Sequence, residues 1–268
     1  MLEYAKLIRP ERCILVAAAV WIGTLIAGAP AIPDTTSILG IASAFLIAAA
    51  GFSANDYFNA RQDKLNRPGR SVAAGKMAAL GGSAVLFAAG IAMAYFISFD
   101  AVAVAVIAAG LLVAYSVQLK RTTLIGNLLI SGLAAIAFFF GGMVAGNHVS
   151  ALPLTLMIFL SNTGREIYKT IDNALADRRY EKNSVAIKMG ITNARIIANI
   201  FLIVAVIFSF IPYLLGMLGM TYLFFAIIAD IILLLSAVIP VKYSSKLAAA
   251  GIVVGVVAFL AGAAAVVI

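Results

Sequence analysis

Nine long apolar runs follow one another along this chain, and they constrain its fold more than any other feature. They lie at residues 13–29, 36–54, 77–98, 101–117, 124–146, 151–170, 194–215, 220–240 and 247–267. A helix needs about 20 apolar residues to cross a bilayer core about 30 Å thick. Hydrophobic residues make up 64% of the chain and charged residues 11%, against about 25% charged in soluble domains. The sequence predicts an all-α polytopic membrane protein with nine transmembrane helices, forming a single domain over residues 1–268.

The basic residues predict the orientation of these helices. If the N-terminus faces the cytoplasm, the cytoplasmic segments carry all 19 Lys and Arg residues. The only acidic residues or histidines in the connections on the opposite side are Asp34, Asp100 and His148. This asymmetry follows the positive-inside rule, so we expect a cytoplasmic N-terminus and a multi-pass protein of the cell membrane. The same rule explains the net charge of +8 without a nucleic-acid partner.

A first polar segment, residues 55–68, directly follows the second apolar run. On a helix that turns about 100° per residue, its oxygen-bearing side chains fall within one stripe roughly 100° wide: Asn55, Asp56, Asn59, Asp63 and Asn66. A second polar segment, residues 165–177, follows the sixth apolar run. Its side chains that share a face are Glu166, Thr170, Asn173 and Asp177. Both segments lie on the predicted cytoplasmic side, so we expect a metal-assisted site between these helices.

Carboxylate stripes of this kind suit Mg²⁺, which prefers oxygen ligands and shares its remaining positions with water and substrate phosphates. Basic residues near the two segments would neutralise phosphate oxygens, with Arg able to do so in a bidentate manner: Arg61, Lys64, Arg67, Arg70, Lys120 and Lys169. Acids, metal and bases together would bind a diphosphate and assist its departure. The alternative is that these are ordinary interfacial charges at two helix ends.

The two polar segments resemble the motifs of the UbiA prenyltransferase family, and most closely those of its archaeal digeranylgeranylglyceryl phosphate synthases. The first family motif reads Asn-Asp-x-x-Asp-x-x-x-Asp, and three residues match it: Asn55, Asp56 and Asp63. The second motif of the archaeal branch is matched at Arg165, Glu166, Ile167, Lys169, Ile171 and Asp177. Further likeness lies at residues 64–68, at Leu7 to Pro10, and at Tyr115 to Lys120 with Gly126 and Asn127. The resemblance therefore covers essentially the whole chain.

The chain departs from the family pattern at several acidic positions. Asn59 replaces the middle aspartate of the first motif, and Thr170 and Asn173 replace two aspartates of the second. Asp172 stands where the branch tends to have Glu. Asn and Thr offer a neutral oxygen in place of a charged one, so we expect weaker metal affinity. A catalytically impaired relative is therefore one alternative.

The resemblance implies a UbiA-like bundle that moves a geranylgeranyl group from its diphosphate to geranylgeranylglyceryl phosphate with Mg²⁺ as cofactor. It implies that Asp56, Asp63 and Asp177 hold the metal, and that Tyr115 stabilises an allylic cation through its ring. It implies substrate binding by Asn55, Asn59, Arg67, Lys120, Glu166, Lys169 and Asn173. An aromatic acceptor, as in quinone or haem side-chain synthesis, is a second enzymatic interpretation.

Asp230 lies near the centre of the eighth apolar run. An acid inside a membrane span is costly unless it is paired, protonated or facing a wet cavity. It is therefore a functional candidate, and a transporter with Asp230 on its pathway is a third interpretation. A protonated acid hydrogen-bonded to a neighbouring helix is the simpler alternative. The polar residues cluster at one interface, whereas transporter sites generally lie near the membrane midplane.

Overall fold

The computed structural model describes residues 8–66, 76–119, 122–176 and 184–267, and among these it does not describe the side chains of 59–66, 76–78, 175–176 and 266–267. The described residues are almost entirely helical. The long helices are α1 (Pro10–Ile26), α2 (Thr35–Asn66), α3 (Lys76–Tyr95), α4 (Phe99–Val117), α5 (Ile125–Val144), α6 (His148–Ala176), α8 (Ile191–Ser209), α10 (Met220–Val238) and α11 (Val241–Val267). Two short helices lie between them, α7 (Val185–Met189) and α9 (Ile211–Leu214).

Six helices in the described part of the chain are long and apolar enough to cross a membrane: α2, α4, α5, α8 continued through α9, α10 and α11. Helix α1 has 17 residues, and the apolar part of α3, Ala79–Tyr95, is also shorter than these six helices. Helix α6 carries the second polar segment. The prediction of an all-α membrane protein is confirmed, and the count of nine spans stays a prediction.

Local chemistry sets several helix ends. The carboxylate of Asp34 accepts a hydrogen bond from the Ser37 N–H at 2.8 Å at the start of α2, and the Ser37 hydrogen bonds lower the pKa of Asp34. Ser98 caps α4 by accepting from the Ala101 N–H at 3.0 Å. Such caps satisfy backbone donors that have no partner within the helix. Gly190 separates α7 from α8 with a φ of 82°, a conformation that favours glycine.

One compact unit consists of residues 1–24, 29–120 and 137–148. In its described part, small residues allow the helices to approach closely, as is common in lipid. Its core combines alanines with a few large side chains, among them Val20, Ile47, Phe140 and Val144. Helices α1 and α5 lie close together at Gly23 and Gly141, where an added Cβ would lie 2.2 Å from the Phe138 main-chain oxygen and 2.1 Å from the Val20 main-chain oxygen, respectively.

The second compact unit consists of residues 25–28, 121–136 and 149–268. Its described core joins α6, α7, α8, α10 and α11 through Ile167, Tyr168, Ile171, Val185, Ala186, Ala194, Ala198, Leu202, Leu233 and Ala248. The Tyr168 hydroxyl donates to the Asn199 side-chain oxygen and ties α6 to α8. The Arg195 guanidinium donates to the carbonyls of Ala237, Val238 and Ile239 at 2.9–3.1 Å. A cation at the end of α10 suits the negative end of the helix dipole.

Helix α10 shows how the chain is adapted to lipid. Its buried residues are small or polar for the most part: Tyr222, Ala226, Ala229, Asp230, Leu233 and Ser236. Its exposed residues include Phe224, Ile231 and Leu235, each at least half exposed. In water this arrangement would be unfavourable, because large apolar side chains belong inside a soluble domain. In a bilayer, large apolar side chains face lipid, and the small ones allow helices to pack.

Candidate active site

The first polar segment continues α2 without a break as far as Asn66, so its backbone has the helical conformation predicted from the sequence up to that residue. Asp56 is 2% exposed. Its Oδ1 accepts a hydrogen bond from Arg9 Nη2 at 2.5 Å. Arg9 directly precedes α1 and has a φ of 50°. The one acid of this segment whose side chain is described is therefore buried and paired with a cation.

The aromatic ring of Phe52, one turn before Asp56, supports this ion pair. The guanidinium carbon of Arg9 lies 5.5 Å from the ring centroid, and that of Arg12 lies 5.9 Å from it. Cations over an aromatic face are attracted by the ring quadrupole. Two guanidinium groups thus lie close to the part of α2 that carries Asp56, and one of them is paired with its carboxylate.

Tyr115 belongs to α4 and lies near the half of α2 that carries Asp56. An added Cβ at Gly51 of α2 would meet Leu112 of α4 at 2.9 Å, and Ala44 and Ala105 share a core cluster seven residues earlier on both helices. Helices α2 and α4 therefore run in the same direction. Tyr115 is half-buried and follows Leu112 by one turn; its role in stabilising an allylic cation stays a prediction.

In the second polar segment, α6 separates an apolar face from a charged one. Ile167, Tyr168 and Ile171 are completely buried. Glu166 pairs with Arg165 Nη1 at 3.0 Å and with Lys169 Nζ at 3.2 Å. Asn173 is exposed and Asp172 half-buried. The Thr170 hydroxyl donates to the Ile167 carbonyl at 2.7 Å.

Several predicted site residues lie outside what the structure describes. Asn59 and Asp63 belong to α2, but their side chains are not described, and Arg67, Lys120 and Asp177 lie outside the described residues. Asn55 is half-buried on α2. Among the described side chains, no three His, Cys, Asp or Glu residues gather to hold a metal ion. Because Asp63 and Asp177 are not included, their assignment as metal ligands stays a prediction.

A polar network borders the second segment on the side of α5. The Ser131 hydroxyl donates to the main-chain carbonyl of Asn127 at 2.8 Å, and the side-chain amide of Asn162 donates to the Ser131 hydroxyl at 3.4 Å. Arg165 Nη1 donates to Asn162 Oδ1 at 3.2 Å. Sequence reasoning did not assign a role to Asn162, because an isolated Asn in an apolar run carries no spacing signal.

Comparison with known proteins assigns the family. The model of the UbiA prenyltransferase family matches residues 15–262. The chain belongs to the UbiA prenyltransferase family. It is 35% identical over 274 residues to the digeranylgeranylglyceryl phosphate synthase of Methanopyrus kandleri, covering 97% of this chain and 99% of that protein. It is also 35% identical to the synthase of Pyrococcus furiosus, with 97% and 96% of the two chains covered.

Solved structures agree with this assignment. A structure described as giving structural and mechanistic insights into digeranylgeranylglyceryl phosphate synthase in membranes superposes with a TM-score of 0.90, at 31% identity over 97% of each chain. A UbiA homolog from Archaeoglobus fulgidus bound to DMAPP and Mg²⁺ has a TM-score of 0.72 at 16% identity, covering 96% of this chain and 99% of that one. The latter supports the fold alone. This chain is thus an intramembrane enzyme that transfers prenyl groups.

The prenyltransferase also buries Asp230, which is 5% exposed, within α10. Ser209 Oγ lies 2.6 Å from Asp230 Oδ2 and 2.7 Å from the Val206 carbonyl oxygen. The Tyr222 hydroxyl donates to the Ser209 carbonyl at 2.6 Å. One hydroxyl carries one hydrogen, so Ser209 cannot donate to both oxygens. A proton on Asp230 donated to Ser209 would satisfy both contacts, so the protonated acid of the simpler alternative stays a prediction.

We therefore expect Asp230→Asn to melt close to the wild type, because an amide also donates to Ser209. Asp230→Ala should lower the free energy of unfolding by about 1 kcal/mol, the scale of an interhelical hydrogen bond in a membrane. Thermal unfolding in detergent can be followed through the reactivity of Cys13, which is buried in the fold. Equal losses for the Asn and Ala variants would show that the carboxyl group is required in its charged form.

Proposed function

We propose that this prenyltransferase transfers a geranylgeranyl group from geranylgeranyl diphosphate to geranylgeranylglyceryl phosphate, forming the second ether bond of archaeal membrane lipids. The observation that carries the proposal is the identity of about one third, over almost the whole of both chains, with proteins named digeranylgeranylglyceryl phosphate synthase. The TM-score of 0.90 supports the same assignment. In the reaction, the C–O bond to the diphosphate breaks, and an acceptor hydroxyl oxygen bonds to the prenyl carbon and loses its proton.

Mg²⁺ is the proposed cofactor, with Asp56, Asp63 and Asp177 as its ligands and Asn59 and Asn173 as neutral oxygen donors. The donor set fits, because carboxylate and amide oxygens suit a hard cation. Asp56 is buried and held in place by Arg9, so one carboxylate is already fixed. When bound, the metal would neutralise charge on the departing diphosphate.

The chain's own residues would perform the remaining tasks. Arg67, Lys120 and Lys169 would bind phosphate oxygens, together with the side-chain amide of Asn55. Glu166, whose carboxylate only accepts hydrogen bonds, would contribute to substrate binding by holding Lys169 in place. The Tyr115 ring would stabilise positive charge on the prenyl group. Large apolar side chains on the spanning helices would keep water away from the prenyl cation, because water would otherwise react with it.

The proposed topology follows from the basic residues. Nine spans and a cytoplasmic N-terminus would bring both polar segments to the cytoplasmic face, where soluble diphosphate leaves. Residues 1–268 would then act as one membrane-embedded prenyltransferase domain, which the match of the family model over residues 15–262 supports.

Purified protein in detergent, supplied with Mg²⁺ and geranylgeranyl diphosphate, tests the proposal. We expect transfer to geranylgeranylglyceryl phosphate, detected by product mass, and little transfer to an aromatic acceptor. Because the leaving group needs charge neutralisation, EDTA should reduce transfer to background and excess Mg²⁺ should restore it.

Other outcomes of this assay separate the alternatives. Preferred transfer to the aromatic acceptor would reassign the substrate. Transfer that appears only in an Asn59→Asp, Asn173→Asp variant would identify the natural chain as catalytically impaired. No transfer by either form, with an unchanged melting profile, would contradict the proposed function.

A further inference from the structure

Two buried side-chain hydrogen-bond donors on residues that take part in the polar network between α5 and α6 have no partner within the described residues: Asn127 Nδ2 and Arg165 Nε. Asn127 joins the network through its main-chain carbonyl. Asn127 is 8% exposed and lies in the first turn of α5. Buried polar groups are almost always hydrogen-bonded, and leaving a donor unsatisfied costs free energy. Two such donors in one network therefore indicate a site for a ligand that accepts hydrogen bonds.

The charge around this network identifies the kind of ligand. Arg165 and Lys169 bring two positive charges, and Glu166 brings one negative charge. Arg165 Nη1 donates to Asn162 and Glu166. The Nε of Arg165 makes no hydrogen bond within the described residues, so it can donate to a ligand. A phosphate group has several acceptor oxygens and no obligatory donor, and it forms strong charge-assisted bonds with guanidinium.

We propose that Asn127, Asn162 and Arg165 form a subsite for a phosphate group, and that this phosphate belongs to the acceptor lipid. The inference rests on the proposed function for the identity of the acceptor. The donor diphosphate would be held, through Mg²⁺, by Asp56, Asp63 and Asp177, as proposed above. The acceptor phosphate requires a separate cluster of donors, which this network supplies one turn before Glu166 on α6.

Binding measurements in detergent without Mg²⁺ test the subsite independently of turnover. Geranylgeranylglyceryl phosphate, geranylgeranylglycerol without phosphate, and geranylgeranyl diphosphate serve as the three probes. Asn127→Leu removes the buried amide, and Arg165→Lys keeps the charge but removes the guanidinium. Asn193→Ala is the matched control, since the Asn193 amide is exposed and already donates to the Met189 carbonyl at 2.9 Å.

We expect both subsite variants to weaken binding of the phosphate-bearing acceptor at least tenfold and to leave binding of geranylgeranylglycerol within twofold of the wild type. Asn193→Ala should leave all three affinities unchanged. Asn127→Leu should melt no lower than the wild type, because it removes an unsatisfied donor. In turnover, the KM for the acceptor should rise while the KM for the donor stays constant.

Equal losses for the acceptor lipids with and without phosphate, or no loss for either, would overturn the subsite. A selective loss of geranylgeranyl diphosphate binding would assign the network to the donor and overturn the acceptor assignment. A wild type that binds the acceptor in a phosphate-dependent manner but transfers nothing would contradict the proposed function and leave the subsite standing.

Discussion

Asp56→Asn should lower the rate of prenyl transfer on the order of 10²–10³-fold, the scale of losing one group that stabilises developing charge. Asp56 is buried on α2 and accepts from Arg9. The amide retains the size of the side chain and an oxygen for the guanidinium, but it loses the negative charge that strengthens binding to Mg²⁺. The fold should therefore persist while turnover falls. Initial rates at saturating substrates, measured beside thermal unfolding, check both expectations.

The exposed acid Asp100, in the first turn of α4, supplies the matched control, and Asp100→Asn should leave the rate unchanged. Arg9→Gln adds a test of coupling between the paired residues. Because neighbouring residues are not independent, Arg9→Gln should change the rate less in the Asp56→Asn background than in the wild type. A folded Asp56→Asn variant with nearly normal turnover would remove Asp56 from the proposed metal ligands.

Gly141→Ala should destabilise the protein by about 3 kcal/mol or more, at the upper end of overpacking effects. A Cβ at Gly141 would lie 2.1 Å from the Val20 carbonyl oxygen and 2.8 Å from the Gly23 Cα. Both atoms belong to the backbone of α1, so no flexible side chain can move aside. Relief requires α1 and this part of α5 to separate, which would open the core around Val20 and Phe140.

Thermal unfolding reported by the buried Cys13 measures this loss, together with the yield of monodisperse protein. Gly132→Ala, on the same helix, is the control, because its Cβ would meet only Phe159, at 4.0 Å. Alanine also favours helix over glycine by up to about 1 kcal/mol, so Gly132→Ala should be neutral or stabilising. Equal melting temperatures for the two variants would contradict the close approach of α1 and α5.

The helices were largely predictable because apolar runs and helical periodicity are properties of neighbouring residues. The predicted run at 101–117 corresponds to α4, and the run at 36–54 with its polar continuation corresponds to α2. The run at 194–215 corresponds to α8 continued through α9, Ile191–Leu214. The apolar pattern did not reveal the interruption between them, where α8 stops at Ser209 and α9 begins with Pro212 in its first turn. Proline has no N–H to continue the helical pattern, which explains the interruption.

The candidate site was predictable only in part. The acids of the two polar segments carried a spacing signal and a family resemblance, and both pointed to Asp56 and Glu166. The ion pair of Arg9 with Asp56 joins residues 47 positions apart, and no local pattern encodes such a distance. The same holds for Asn162, whose contact with Ser131 joins two helices.

By itself, the sequence determined that this chain is a helical membrane protein of the UbiA family with acidic segments at the ends of two helices, because hydropathy, periodicity and motifs are written in consecutive residues. Only the tertiary structure decided which cation pairs with Asp56, where α1 and α5 touch, and that Asn127 and Arg165 have buried donors without partners among the described residues. Those properties arise when helices distant along the chain pack together, since burial and hydrogen bonding depend on neighbours that the sequence does not place side by side.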